Sequence, residues 1–336
     1  MSSLLFNNKV LLCGLGSIGS RHLKNLQMLG CKDLIIYTKN SNPYFKSPPG
    51  IQCYDILDEA LKQKPIISII CNPTSFHIKT AIECAKAGSH IFIEKPVSHD
   101  LENVAELSRV LKSKNIFCMI GYMMRFNPAI KLIKSHIKNG ELGTPIHFSS
   151  VWGEYLPDWH PYEDYLISYA SKKNLGGGLI LTLSHDIDLA YWFFGMPQAI
   201  SCTTLMASNL SIDTESVADI IFKYNNVLTA HLHLNYIDKP TKRNITIRFS
   251  NGRIDYDIMK NILFLYRGYT KENEPEIFDY NDKFTRNDLF ELELKYFLES
   301  INNNSEPSPS FEDGINVLKL AIAASKSAAQ GPTIKK

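Results

Sequence analysis

The sequence contains no apolar run approaching the roughly 18 residues that a membrane-spanning helix needs. It also has no basic block interleaved with aromatics, no internal repeat and no low-complexity tract. The first absence excludes a transmembrane helix; the second makes nucleic acid and acidic membranes poor partners. Neither sign of charge dominates, since 36 Lys and Arg stand against 34 Asp and Glu, for a formal charge of +2. A small molecule is the partner that remains. The seven cysteines (Cys13, Cys31, Cys53, Cys71, Cys84, Cys118 and Cys202) are odd in number and show no C-x-x-C spacing. They read as reduced core thiols of a reducing compartment, and no metal is expected. The segment from Met1 to Lys9 is too short and too polar for a secretory apolar region, so the expected location is cytoplasmic.

With 336 residues, of which 44% are hydrophobic and 21% charged, the composition is that of a globular protein too long for one core. Two domains are expected. Val10-Leu11-Leu12, Leu34 to Tyr37, Ile66 to Ile70, His90 to Ile93 and Ile116 to Met119 are near-continuous apolar runs, as in a parallel sheet buried on both faces. Between them, Ile18 to Leu29, Asp55 to Gln63, Phe76 to Ala87 and Leu101 to Ser113 carry apolar residues at helical spacing, with Gly30 and Gly88 where helices would stop. This βαβ alternation predicts a doubly wound α/β domain over residues 1–125.

Beyond residue 145 the pattern changes to strand-like runs: Ile146 to Trp152, Ile200 to Ala207, Val217 to Tyr224, Val227 to Leu234, Ile245 to Phe249 and Ile262 to Tyr266. Turn signals at Tyr224-Asn225-Asn226 and Ser250-Asn251-Gly252 argue for antiparallel hairpins. An α+β domain built on an open, mainly antiparallel sheet is expected over 126–310, followed by a terminal helix and tail over 311–336 that pack back on the chain.

Gly14-x-Gly16-x-x-Gly19 follows a strand directly and opens a helix, the context that gives this pattern meaning. Gly14 permits the tight turn, Gly16 lets the backbone approach a pyrophosphate, and Gly19 lets helix and strand pack closely. The free N–H groups of the helix start, at Ser17 and Ile18, would face the anion. A nicotinamide dinucleotide is therefore expected on a Rossmann domain. An acid that would hold the ribose hydroxyls of NAD is missing from the end of the second strand, where Tyr37-Thr38-Lys39-Asn40 stands instead. Thr38 and Lys39 suit a 2′-phosphate, although Lys39 reads equally as a solvated loop lysine. The cofactor expected is NAD(P), with the lean towards NADP.

Two further loops belong to the carboxyl edge of this sheet. Asn72-Pro73-Thr74-Ser75-Phe76-His77 follows the third run and would lie against the dinucleotide; His77 taken alone reads as a packing or capping residue. Glu94-Lys95-Pro96 follows the fourth. Pro96 restricts Lys95 to extended geometry, and a lysine desolvated beside an oxidised nicotinamide is a candidate proton acceptor or donor.

With these motifs and Gly121-Tyr122-x-x-Arg125-Phe126-Asn127-Pro128 in this order, the sequence resembles the Gfo/Idh/MocA oxidoreductase family. The likeness continues through Gly140-Glu141-Leu142-Gly143 and the stretch from Gly176 to Asp188. It implies a Rossmann domain joined to an open antiparallel sheet. It further implies Lys95 and His185 as the residues flanking the reacting carbinol, Glu94 and Arg125 on the cofactor side, and Tyr122 on the substrate side. Many members carry an aspartate where this chain has Leu181, with Thr182 as its nearest polar neighbour. Thr182, a water, Asp186 or Asp188 could take that place, and the sequence does not choose among them.

The stretch from Trp152 to Tyr165 is dense in aromatics and carboxylates, a mixture suited to an amphipathic ligand such as a sugar, and equally to an oligomer contact. Trp152, Tyr155 and Trp159 are candidate sugar contacts, and Lys172 and Lys173 could hold an anionic substituent or equally read as solvated lysines. The wording of this stretch is similar to members associated with bacterial surface sugars. The expected function is hydride transfer between NAD(P) and a secondary carbinol or ketone of a sugar or nucleotide sugar, in a homodimer or homotetramer. A cofactor-binding regulator without catalysis, or a redox-neutral glycosidase or epimerase of the same family, are the alternatives.

Overall fold

The computed structural model describes residues 8–39, 44, 46–207, 209–225, 227–270 and 274–331. Two compact units divide them. The first holds the described residues up to Met123 with Asn174–Gly176 and Arg286–Leu318; the second holds Met124–Lys173, Gly177–Thr285 and the described residues from Lys319. Among the described residues no helix is long and apolar enough to cross a membrane.

In the first unit, β1 (Val10–Cys13), β2 (Leu34–Tyr37), β3 (Gln52–Tyr54), β4 (Ile67–Ile70), β5 (His90–Ile93) and β6 (Cys118–Ile120) form a parallel sheet in the order β3-β2-β1-β4-β5-β6. Helices α1 (Ser17–Met28), α2 (Leu57–Leu61), α3 (His77–Lys86) and α4 (Val104–Ser113) make the crossovers. Every residue of β1, β2 and β4 is buried, which is why these strands read as continuous apolar runs. β3 escapes that pattern because it is an edge strand of three residues with Gln52 and Cys53 exposed. α1 and α3 stop where expected, at Gly30 (φ +90°) and Gly88 (φ +96°), in a conformation that costs glycine little.

The second unit opens with α5 (Pro128–Asn139). The Asn127 side chain accepts the backbone N–H groups of Ala129 and Ile130, Pro128 takes the first turn, and Gly140 at φ +68° ends the helix. The Asn127-Pro128 pair is thus a helix start. β7 (Pro145–Gly153), α6 (Leu179–Thr182), α7 (His185–Phe194), β8 (Ala199–Leu205), β9 (Val217–Tyr224), β10 (Leu228–Asn235), β11 (Lys242–Phe249), β12 (Gly252–Asp257), β13 (Ile262–Arg267) and β14 (Glu276–Asp279) follow. The eight strands run in the order β14-β13-β12-β11-β7-β10-β9-β8. Every neighbouring pair is antiparallel except β7 with β10. Burial alternates along β9 and β11, so one face of the sheet is covered and the other is open. α6 packs on β9 and β10, and α7 on β7 and β10. Asn225, at φ +47°, lies in the β9–β10 turn; Asn226 lies outside the described residues.

α8 (Arg286–Asn302) lies within the stretch 126–310 yet belongs to the first unit, where it packs along α1. Asn287 donates to the Asn25 side chain at 3.0 Å, and the Arg21 guanidinium lies 4.8 Å from the Phe290 ring centre. α9 (Phe311–Gln330) is the last helix.

Candidate active site

In the first unit the site starts from the turn between β1 and α1. Gly14 adopts φ +103°, and a Cβ there would stand 2.6 Å from the Asn72 backbone nitrogen. A Cβ on Gly19 would stand 2.1 Å from the Gly14 carbonyl oxygen. Gly16 is different: its φ is −92°, and a Cβ would meet nothing within 4 Å. Two glycines therefore serve the fold, and the third leaves open space at the start of α1, beside Ser17 and Ile18. That is the arrangement an anion needs in order to reach backbone N–H groups, so the residues fit a dinucleotide pyrophosphate. Gly19→Ala is expected to destabilise the first unit by several kcal/mol through overpacking. Gly16→Ala should leave stability within about 0.5 kcal/mol and weaken NAD(H) binding; parallel thermal melts and NADH titrations check the pair.

At the end of β2, Thr38 is half-buried with its N–H on the Tyr54 carbonyl, and Lys39 is exposed. Asn40 lies outside the described residues. After β4, the Asn72 amide donates to Thr80 at 2.8 Å, exposed Pro73 leads into a single 3-10 turn over Thr74–Phe76, and Thr74 is buried.

His77 is a brace between two site loops. Its Nδ1 lies 2.9 Å from the Pro96 carbonyl oxygen and its Nε2 lies 2.8 Å from that of Asn72. Burial pushes the imidazole below its ordinary value, and the two carbonyls oppose that shift without overcoming it. The folded state therefore favours the neutral ring. Its stability contribution is complete above the unfolded value of 6.5 and is lost as pH falls below that value and through the lower folded one. Amide exchange along α3 should quicken on acidification, and His77→Gln should flatten that response.

Glu94 follows β5 directly and is buried, and Lys95 beside it is half-buried in a cis peptide bond to Pro96. The Glu94 carboxylate accepts the Lys95 N–H at 3.1 Å. Tyr122 is fully buried in this unit.

In the second unit, His185 is the first residue of α7, buried, with its ring 5.9 Å from that of Trp152. The Trp152 indole donates to Glu154 at 2.9 Å. Opposite Trp152 across the β7–β11 ladder stands Arg243, whose guanidinium lies 3.6 Å from the indole ring centre and whose Nη2 lies 3.7 Å from Asp186. The two aspartates near His185 are held by other groups: Asp186 accepts from Ser150, and Asp188 is forked by Arg125. The structure thus commits the Arg125 guanidinium to Asp188. Thr182 is buried beside the Tyr236 hydroxyl, and Leu181 is half-buried.

The remaining substrate candidates are more dispersed. Tyr155 is half-buried with the Lys239 ammonium 5.4 Å from its ring centre, and the Trp159 ring meets the Tyr236 ring edge at 5.3 Å. Half-buried Lys172 accepts the Gly177 N–H on its carbonyl. Trp152, His185 and Arg243 are therefore the cluster that this unit assembles.

Two family models match the chain: an oxidoreductase NAD-binding Rossmann domain over residues 8–122 and a Gfo/Idh/MocA C-terminal domain over residues 130–255. The chain belongs to the Gfo/Idh/MocA oxidoreductase family. It is an enzyme of the nicotinamide-dependent oxidoreductase class. Among its Gfo/Idh/MocA relatives are the myo-inositol 2-dehydrogenase of Thermotoga maritima, 26% identical over 96% of each chain, and the UDP-N-acetylglucosamine 3-dehydrogenase of Acidithiobacillus ferrooxidans, 24% identical over 93% of each. A solved levoglucosan dehydrogenase in complex with NADH shares the fold, with a TM-score of 0.84 at 19% identity over 96% of this chain and 97% of that one.

One member of this cluster was not found by sequence reasoning: Arg243 sits in Lys242-Arg243, which reads as a solvated charged pair, and only the strand register brings it over Trp152. Elsewhere in the second unit, the Glu215 carboxylate accepts the Ile180 N–H at 3.0 Å at the start of α6. Burial pushes its carboxyl above the usual range.

Proposed function

We propose that this enzyme transfers hydride between NAD(P) and a secondary carbinol or ketone of a sugar or nucleotide sugar. The observation that carries the proposal is the Glu94-Lys95-Pro96 turn at the carboxyl edge of β5, on the same sheet edge as the glycine turn that follows β1. A ligand of an open parallel sheet lies outside that edge. The relatives support the substrate class: myo-inositol, UDP-N-acetylglucosamine and levoglucosan, on which they act, all present secondary carbinols on a polyhydroxylated ring. Half-buried Glu154 and Tyr155 offer a polar group and an apolar face suited to such a ring, whereas Trp152 and Arg243 are themselves buried against each other. The wording of residues 152–165 supports a place in bacterial surface-carbohydrate synthesis.

When bound, the nicotinamide supplies the hydride acceptor or donor. The protein's part is to bind, orient and move a proton. Lys95 exchanges the hydroxyl proton and His185 assists. Thr38 and Lys39 favour a 2′-phosphate, hence NADP over NAD. Oxidation of myo-inositol, levoglucosan and UDP-N-acetylglucosamine with each dinucleotide, followed by nicotinamide absorbance, tests the reading. Turnover on a member of the panel is expected. Dinucleotide binding without turnover would point to a regulator, and cofactor retained through purification with no net absorbance change would point to redox-neutral chemistry. Tighter binding of NADH than NADPH in fluorescence titrations would overturn the cofactor lean.

A further inference from the structure

Within the first unit, one side chain from each of three separate stretches meets the others: His22 on α1, Glu94 after β5 and Glu293 on α8. One ligand-type atom from each lies within 4.8 Å of the others, and all three residues are buried, Glu293 completely. Both Glu94 oxygens have polar partners: Oε1 lies 2.6 Å from His22 Nε2, and Oε2 accepts the Lys95 N–H at 3.1 Å. Neither oxygen of Glu293 has a hydrogen-bond partner in the structure. The surroundings are apolar: Phe92 and Phe290 stand edge-on to the His22 ring at 5.3 and 5.9 Å, and Phe92 meets Phe297 at 5.7 Å. Gly121 makes room for the Glu94 carboxyl, which would lie 3.2 Å from a Cβ placed there.

Two carboxylates this close in a dry site cannot both be charged, and the one without donors is the one that keeps the proton. We propose that Glu293 stays protonated in the working enzyme and, with His22, is a positioning residue that keeps Glu94 an ionised acceptor and so holds the Lys95 backbone. The proposal rests on Lys95 being the proton-exchanging group. Burial first, then the charge of Glu94, push the Glu293 carboxyl well above the usual range, and Lys95 pulls it back only in part. The other titratable groups acting on the cluster are Arg21 on α1, Cys71 after β4 and His77 on α3, with Arg286 of α8 acting on Arg21. An ionised Glu293 would compete with Glu94 for the same proton and loosen the turn that carries Lys95.

The test compares Glu293→Gln, a neutral isostere of the protonated acid, with Glu293→Leu in the full-length enzyme at neutral pH. An infrared difference spectrum of wild type against Glu293→Gln should show the carbonyl stretch of a protonated carboxyl lost in the variant. Glu293→Gln should keep kcat within about twofold, whereas Glu293→Leu should lose about 10- to 100-fold in kcat, with little change in KM for the dinucleotide, and shift the pH–rate profile. Absence of the carboxyl band, a Gln variant as impaired as the Leu variant, or a stoichiometric metal ion held by these three groups overturns the proposal. Should Glu293→Leu fail to fold, the infrared band and the pH–rate profile of Glu293→Gln still decide. Unchanged turnover in Lys95→Ala would defeat the reading of Lys95, while the infrared band would still report the proton on Glu293.

Discussion

Replacing Lys95 with alanine is expected to lower turnover by about 10²- to 10⁴-fold, the usual contribution of a positioned general acid or base. Dinucleotide binding should remain measurable. The physical basis is the way the turn holds this one residue. Its N–H is donated to Glu94, the neighbouring Pro96 carbonyl lies against His77, and the side chain leaves the carboxyl edge of β5 from a half-buried position. Lys95→Arg should fare little better, because a guanidinium keeps its charge and cannot take up or release the proton. Loss in both variants, together with partial rescue of Lys95→Ala by small primary amines, would mark proton exchange. Rescue by arginine alone would mark a purely electrostatic role, and unchanged turnover in both would remove Lys95 from the chemistry.

The sequence made most of this turn legible, because its parts are local. Gly14, Gly16 and Gly19 lie within one turn, and Lys95 and Pro96 are neighbours, so spacing alone carries their meaning. The buried strands were equally plain, since a strand covered on both faces has no polar side to interrupt its run. β3 and β14 were missed for the opposite reason: at sheet edges, short and largely exposed, they need no apolar pattern; β12, also missed, is internal, but its buried residues alternate with Arg253, Asp255 and Asp257 directly after a turn signal. α8 had a signal, with Leu289, Phe290, Leu294, Phe297 and Leu298 at helical spacing, but nothing local says that it returns to the first unit to bring Glu293 beside His22. Partners far apart in sequence were the least visible. Arg125 and Asp188 were both singled out, in different motifs and for different work, and only the fold joins them.

That pair should dominate the stability of the second unit. Arg125 Nε reaches Asp188 Oδ1 and Oδ2 at 3.2 and 3.0 Å, and Nη2 reaches Oδ1 at 2.6 Å, with the side chains 4% and 0% exposed. Arg125→Ala would leave a buried carboxylate without its fork, and breaking a buried pair in this way costs about 3–5 kcal/mol. Some compensation is available. Asp188 sits in the first turn of α7, where the helix dipole favours an anion, and Lys134 lies over Trp192 next to Arg125. Burial and the Arg125 charge both push the Lys134 ammonium below its ordinary value, so losing Arg125 should partly relieve that pressure. Neither compensation supplies the two-oxygen fork, so the loss should stay near the lower end of the range and not vanish. Trp152, Trp159 and Trp192 all belong to the second unit, so tryptophan fluorescence in urea follows its unfolding. The midpoint should fall in Arg125→Ala and be restored in part by adding Asp188→Leu, which removes the stranded charge. A midpoint unchanged in the single variant would mean that water reaches Asp188 once the arginine is gone, and that the pair contributes little to folding.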